Sequence, residues 1–228
     1  LEGVRTTAHS KILLENVAKS DSFVAARLKQ AGCVITGKLS THEFALGGPA
    51  FDLPFPPARN PWNPEHHPGG SSSGAGTSVA AGMVPMALGS DTGGSVRNPA
   101  SCCGIVGIKP TYGRVSRAGV VPLSFSLDNV GPLTRTVEDN ALILHAIAGH
   151  DPNDPSSDPR PVPDYTATLR DGVKGLKIGL IRHFYTEDLQ ADAEVAASVE
   201  ATAELLQSLG AEVREIRLPP LAQYAACN

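Results

Sequence analysis

Two glycine-serine turns, GGSSS at 69–73 and DTGGS at 91–95, constrain this chain more than any other feature, because only a run of small residues and one short apolar stretch separate them. Glycine carries no side chain and tolerates positive φ, so the backbone N–H groups of such turns can approach a ligand closely. A pair of N–H groups in one turn can hold a developing oxyanion, and the serine places a hydroxyl beside it. Read from residue types alone, the same turns also serve as flexible connectors or phosphate nests, and both alternatives stay open at this point. Between them, small residues from Thr77 to Met83 permit a closely packed helix, and VPMALGSDTGG reads as a strand entering a tight turn.

Competing chemistries fail on particular residues. The second turn reads Gly93, Gly94, Ser95, Val96, Arg97, so the closing glycine of a G-x-S-x-G nucleophile elbow is absent and an α/β-hydrolase is disfavoured. No lysine follows a serine by three positions, as an S-x-x-K enzyme would need, and Gly37-Lys38 is followed by Leu39 where a P-loop requires Ser or Thr. The seven histidines include no HExxH pattern. His66 and His67 sit in the proline-rich PWNPEHHPGG, where a solvated loop accounts for them, so neither a metal nor another cofactor is expected.

Along the chain, Asp21 is placed to cap a helix carrying Val24, Leu28 and Ala31 at helical spacing, stopped by Gly32 before the strand-like run CVIT. Residues 47–68 hold seven prolines and read as a long loop. CGIVGIKPT is strand-like, Thr136 and Asp139 form a cap pair before a helix from Val137 to Ala148, and DPNDPSSDPRPVPDY is a surface loop. Leu176, Ile178 and Leu180 alternate as a strand, Asp192 to Leu209 reads as a helix ended by Gly210, and AEVREIRL as a final strand, with no helix expected to close the chain before Cys227 and Asn228. Strands alternating with helices imply an α/β fold with an at least partly parallel sheet.

The formal charge of −4 is spread over 19 basic and 23 acidic residues, which offers no basic stripe to nucleic acid, and no direct nucleic-acid partner is expected. No apolar stretch approaches the roughly 18 residues needed to cross a bilayer, and LEGVRTTAHSK lacks the apolar run of a secretory signal, so a soluble chain without a membrane partner is expected. Cys33, Cys102, Cys103 and Cys227 show no CxxC spacing, which suits a reducing compartment and a cytoplasmic location.

The runs PGGSSSGAGTSVAAG, LGSDTGGSVRNPASCCGIVGIKPTYGRVS and SLDNVGPLTRTVEDNALIL, with GKLSTHEFALGG and NPW upstream, resemble the amidase-signature family in order, spacing and residue type over nearly the whole chain. The resemblance implies an α/β amidase-signature fold, with a mixed, mostly parallel sheet covered by helices on both faces. It implies that Ser95 attacks an amide carbonyl, and that Ser71, 24 positions earlier and following a cis Gly70-Ser71 bond, relays the proton to a lysine. It also implies an oxyanion hole from the backbone amides of Thr92, Gly93, Gly94 and Ser95, with Ser72 supporting the relay by hydrogen bonding. The expected hydroxyl separation of Ser71 and Ser95 is within roughly 2.6–3.2 Å. A serine hydroxyl is a weak nucleophile until a base activates it, and a lysine can be that base only when its pKa is lowered.

The pattern departs from the family in three places. Its lysine belongs to a strand placed just before Leu1, so Lys38 is not the counterpart, and Lys11, Lys19 and Lys109 read as surface or structural charges. Ser73 stands where the family usually has glycine, and Arg97-Asn98-Pro99 differs from the Arg-Gln-Pro associated with the glutamine-hydrolysing component of a tRNA amidotransferase. The expectation is one amidase-signature domain over 1–228, lacking the lysine strand and a C-terminal half. The function expected is a free-standing serine amidohydrolase acting on a small-molecule carboxylic amide, carbamate or ester, working as a homodimer. The alternatives are the glutamine-hydrolysing A subunit of an amidotransferase, with partner subunits, and an inactive truncated module. The HEFALGG loop near Ala45 is expected to contribute to the acyl-binding wall.

Overall fold

The computed structural model describes residues 1–226, in two compact units, Leu1–Ala167 and the residues from Thr168 on. In the first unit, helix α1 (Phe23–Gln30) is capped by Ser22, whose hydroxyl accepts from the Ala25 N–H at 3.3 Å. Asp21, expected in that role, is instead held by the Glu2 N–H and by Lys29 Nζ. The run CVIT forms no strand: it has no ladder partner among the described residues, and Val34 is 86% exposed. Apolar residues of the right type do not make a strand until a neighbour takes their N–H and C=O groups.

Helix α2 (Ser73–Ala80), strand β1 (Met86–Asp91), helix α3 (Arg97–Cys103), strands β2 (Val106–Gly107) and β3 (Asn129–Thr134), and helix α4 (Val137–Ile147) complete this unit. The sheet order is β1-β3-β2 with both pairings antiparallel. The connection from β1 through α3 to β2 does run parallel, as the helix-strand alternation suggested, but β3 inserts between the two strands and reverses each direct pairing. Of CGIVGIKPT only Val106 and Gly107 enter the ladder.

All six residues of β3 are buried even though Gly131 and Pro132 argue in sequence against a central strand. The fold uses both. A Cβ on Gly131 would overlap the Ile108 carbonyl, and the Pro132 carbonyl accepts from the Ile108 N–H at 3.4 Å and from Asn140 Nδ2 at 3.1 Å. One apolar cluster joins Val24 and Leu28 of α1 to Val130 of β3 and Leu144 and Ile147 of α4. A second joins Ala75 and Val79 of α2 to Ala87, Val96, Ala100 and Leu133, and it is this cluster that fixes the two glycine-serine turns. Thr136 caps α4 as expected, accepting from the Asp139 N–H at 3.1 Å.

In the second unit, β4 (Lys177–Leu180) and β5 (Glu212–Glu215) pair in parallel, joined through α5 (Ala193–Ser208), whose N-cap Asp192 accepts from the Glu194 N–H. Arg182 bridges Glu200 of α5 and Glu215 of β5. A further helix, α6 (Leu221–Ala225), follows β5 where none was expected, while Cys227 and Asn228 lie outside the described residues. No helix among the described residues is long and apolar enough to cross a membrane, and none of their His, Cys, Asp and Glu clusters could hold a metal ion.

Candidate active site

Asp91, the last residue of β1, organises the Ser95 turn. Its fully buried carboxylate accepts from the Gly94 N–H at 2.8 Å, the Val96 N–H at 3.1 Å and the Arg97 N–H at 3.3 Å, and from Arg97 Nε and a terminal guanidinium nitrogen at 2.9 and 2.8 Å. Burial by itself would raise its pKa, but these hydrogen bonds and the Arg97 charge outweigh it, and the carboxyl is held below its ordinary value. A side-chain cap is missing from α3, and Asp91 replaces it by bonding the N–H groups at the helix start from outside the helix. One residue on, Thr92 donates its hydroxyl to Asp128 at 2.5 Å, and Asp128 also accepts from the Leu123 and Ser124 N–H groups.

These bonds decide which amides of the turn stay open. The Gly94 N–H is committed to Asp91, whereas the N–H groups of Thr92, Gly93 and Ser95 carry no hydrogen bond among the described residues. Ser95 itself is partly exposed, and Gly93 is exposed.

The Ser71 turn is built differently. Gly70-Ser71 is a cis peptide bond. The Ser71 carbonyl accepts from Thr41 Oγ1 at 2.8 Å, from the His42 N–H at 3.0 Å and from the Ser73 N–H at 2.8 Å. Asn98 reaches across from α3 and accepts from the Gly70 N–H at 2.9 Å, so one side chain links the two turns. The Ser72 hydroxyl bonds the Ser90 backbone, donating to its carbonyl and accepting from its N–H, each at 3.2 Å, and a Cβ on Gly89 would lie 2.5 Å from that oxygen. Ser72 therefore joins the start of α2 to β1, and its N–H donates to the Ser95 carbonyl at 3.2 Å.

Ser71 is only 3% exposed, and its hydroxyl has no hydrogen-bond partner among the described residues. The expected hydroxyl contact between Ser71 and Ser95 is thus not made here. A serine hydroxyl turns to suit whatever acceptor faces it, and none does so in this arrangement. Nor does a lysine of the described residues reach it: Lys38 Nζ donates to Thr6 Oγ1 at 2.7 Å and Lys109 Nζ to the Pro110 carbonyl at 3.1 Å. In the HEFALGG loop, Phe44 and Ala45 take left-handed φ values of 48° and 62°. Asp91, Thr41 and His42 were not singled out in the sequence, although each stands inside a quoted run, and Asn98 was noted only as a departure from a motif; Thr41, His42 and Asn98 act on residues 28 to 30 positions away.

The same fold recurs in solved structures. The chain superposes with a TM-score of 0.91 on the A subunit of the Thermotoga maritima glutamyl-tRNA(Gln) amidotransferase, at 45% identity over 96% of this chain and 48% of that one. Against native peptide amidase from Stenotrophomonas maltophilia the TM-score is 0.84, at 36% identity over 97% and 46%. The chain belongs to the Amidase family, whose pattern matches residues 1–227. Its curated relatives include the glutamyl-tRNA(Gln) amidotransferase A subunit of Moorella thermoacetica, 54% identical over 96% of this chain and 44% of that protein. The corresponding A subunit of Geobacter sp. strain M21 is 51% identical over 100% and 46%. The chain spans less than half the length of these relatives.

Proposed function

We propose that this chain carries the acyl-transfer serines of a glutamine-hydrolysing amidotransferase A subunit. What supports that reading most directly is the 54% identity, over 96% of the chain, to a protein of that name. It favours this reading over the free-standing amidase, whose preference rested in part on Arg97-Asn98-Pro99; in the structure Asn98 is an acceptor for the Gly70 N–H, a task glutamine's carboxamide is equally equipped to perform. Ser95 Oγ attacks the side-chain carboxamide carbon of glutamine and passes its proton to Ser71 Oγ, which gives its own proton to a lysine outside these 228 residues. The oxyanion is met by the open N–H groups of Thr92, Gly93 and Ser95, held in place by the grip of Asp91 on Gly94, Val96 and Arg97. Collapse breaks the C–N bond, ammonia leaves with a proton returned through the same relay, and water then cleaves the acyl-serine ester to release glutamate.

The test is purification of the protein from its native cells, followed by glutamine hydrolysis. Co-purifying subunits and glutamine turnover are expected. Turnover of simple carboxylic amides by an unaccompanied chain, with glutamine inert, would restore the free-standing amidase, the reading favoured by the peptide amidase likeness. The 228 residues alone are expected to hydrolyse amides about 10²–10⁴-fold more slowly than the same chain extended upstream through the lysine and downstream to the relatives' full length, because general-base assistance is missing. Equal rates would place the base inside the 228 residues.

A further inference from the structure

His42 is 5% exposed and lies against the turn that carries Ser71, yet the chemistry above gives it no part. Its Nδ1 is 2.9 Å from the Gly47 carbonyl oxygen, which can only accept, so Nδ1 bears the proton and Nε2 is left as a bare lone pair. Nε2 is buried and has no hydrogen-bond partner among the described residues. The imidazole faces Gly70 so closely that a Cβ there would overlap it, while the backbone N–H of His42 holds the Ser71 carbonyl at 3.0 Å. Ser71 Oγ is the other buried, unpartnered polar atom beside this peptide.

The scaffold behind His42 is strained. Phe44 and Ala45 on its own segment, and Ala8 and His9 on the facing one, are non-glycine residues in the left-handed region, and the Phe44 N–H donates to the Ala8 carbonyl at 3.0 Å. Such conformations persist only where the surroundings over-determine them, and they gather at functional sites. His9 ties this region together, its Nδ1 accepting from the Thr41 N–H at 3.3 Å and its Nε2 donating to the Phe55 carbonyl at 2.8 Å.

We propose that His42 is a positioning residue for the proton relay, its ring acting as the wall that sets Gly70 and, through it, the Ser71 hydroxyl. This rests on the reading of Ser71 as relay. The ring does this work in its neutral form. Burial holds its pKa below the ordinary 6.5, outweighing the opposing hydrogen bond to the Gly47 carbonyl, and His67 and His9 add smaller repulsions in the same direction as burial. Among the described residues, the titratable groups that act on it are these two histidines, with the His67 ring 5.7 Å away, and no carboxylate is hydrogen-bonded to it. Protonation at Nε2 would bury an uncompensated charge against Gly70.

Three measurements on the protein with its partner subunits test this. Fluorophosphonate labelling of Ser95 comes first, since its failure removes the underlying reading and not the placement of His42. Nitrogen-15 histidine NMR is expected to show a neutral, Nδ1-protonated His42 that titrates below 6.5; an Nε2-protonated ring, or titration at or above that value, overturns the proposal. The third is a double-mutant cycle on glutamine turnover. His42→Ala is expected to lower kcat about 10–100-fold with KM little changed in the Ser71 background, and to cost less than about 3-fold more in Ser71→Ala, because a wall that works through Ser71 has nothing left to position. The same factor in both backgrounds would make His42 merely structural and end the proposal. Should His42→Ala not fold, His42→Asn keeps a donor for the Gly47 carbonyl but opens the space beside Gly70; its unchanged melting temperature with reduced kcat is expected, and wild-type kcat in it would overturn the proposal.

Discussion

The Ser95 turn and the Ser71 turn look alike in sequence, each a pair of glycines followed by serine, yet they are held by opposite means. The Ser95 turn is held from within: one buried carboxylate, Asp91, gathers three backbone N–H groups and a guanidinium, all within six positions of itself. The Ser71 turn is held from without, by Thr41, His42 and Asn98 from segments about 30 residues away, and by contacts that tolerate no side chain on Gly69, Gly70 or Gly74. A turn gathered mainly by its own carboxylate keeps its shape as a unit, with the Thr92–Asp128 and Ser72–Ser95 bonds tying down its two ends. A turn clamped by its neighbours can be displaced by any one of them, which suits a group that must pass a proton on but not one that must hold an oxyanion still.

The largest expected effect is therefore on Asp91. Asp91→Ala leaves three N–H groups and the Arg97 guanidinium without their acceptor, and about 3 kcal/mol of stability should be lost, the lower end of the range for a broken buried pair because Arg97 is half exposed. Denaturant unfolding reads this directly, and a loss under about 1 kcal/mol would mean the turn does not depend on its carboxylate. The pH dependence has a definite sign. Because the folded pKa of Asp91 is depressed, its contribution is present above the ordinary 3.8 and is lost as pH falls through the lower folded value. Asp91→Asn should remove that part of the acid sensitivity.

Next in size is Gly70→Ala, which drives a methyl group into the His42 ring and should cost about 1–3 kcal/mol. Combining it with His42→Ala should recover part of that loss. No recovery in the melting temperature of the double variant would show that the ring is not what limits this turn.

What was legible in sequence follows the same division. The Ser95 turn, the strand before it and the cis peptide at Gly70-Ser71 were all readable, because local residue order and the family resemblance carry them. The α4 cap at Thr136 and the stop of α1 at Gly32 were legible for the same reason. The central strand β3 was not, since Gly131 and Pro132 break every local rule for a strand and are accepted only through contacts with Ile108 and Asn140. CVIT erred in the other direction, with strand residues that find no partner among those described. Asn98 was noticed as a departure from a motif, but its bond to Gly70 lies across 28 positions and leaves no mark in either segment alone.

Asn98→Ala sharpens the comparison, because that side chain reaches from the helix after the Ser95 turn to the Gly70 N–H, beside the backbone bond from Ser72 to Ser95. The Gly70 N–H would lose its acceptor at a partly exposed site, costing about 1 kcal/mol, and glutamine turnover should fall more than stability does. Asn98→Gln should restore much of it. The smallest effect is expected for Thr41→Val, which removes one of three donors from the Ser71 carbonyl and should cost about 0.5–1 kcal/mol by thermal unfolding.

The division of labour between the two serines is tested most directly by mass spectrometry of the protein after reaction with a serine-directed fluorophosphonate. A single adduct on Ser95 is expected, lost together with glutamine turnover in Ser95→Ala and slowed but still on Ser95 in Ser71→Ala. An adduct on Ser71 or Ser72 would contradict the assignment, because the clamped turn would then be the one that attacks.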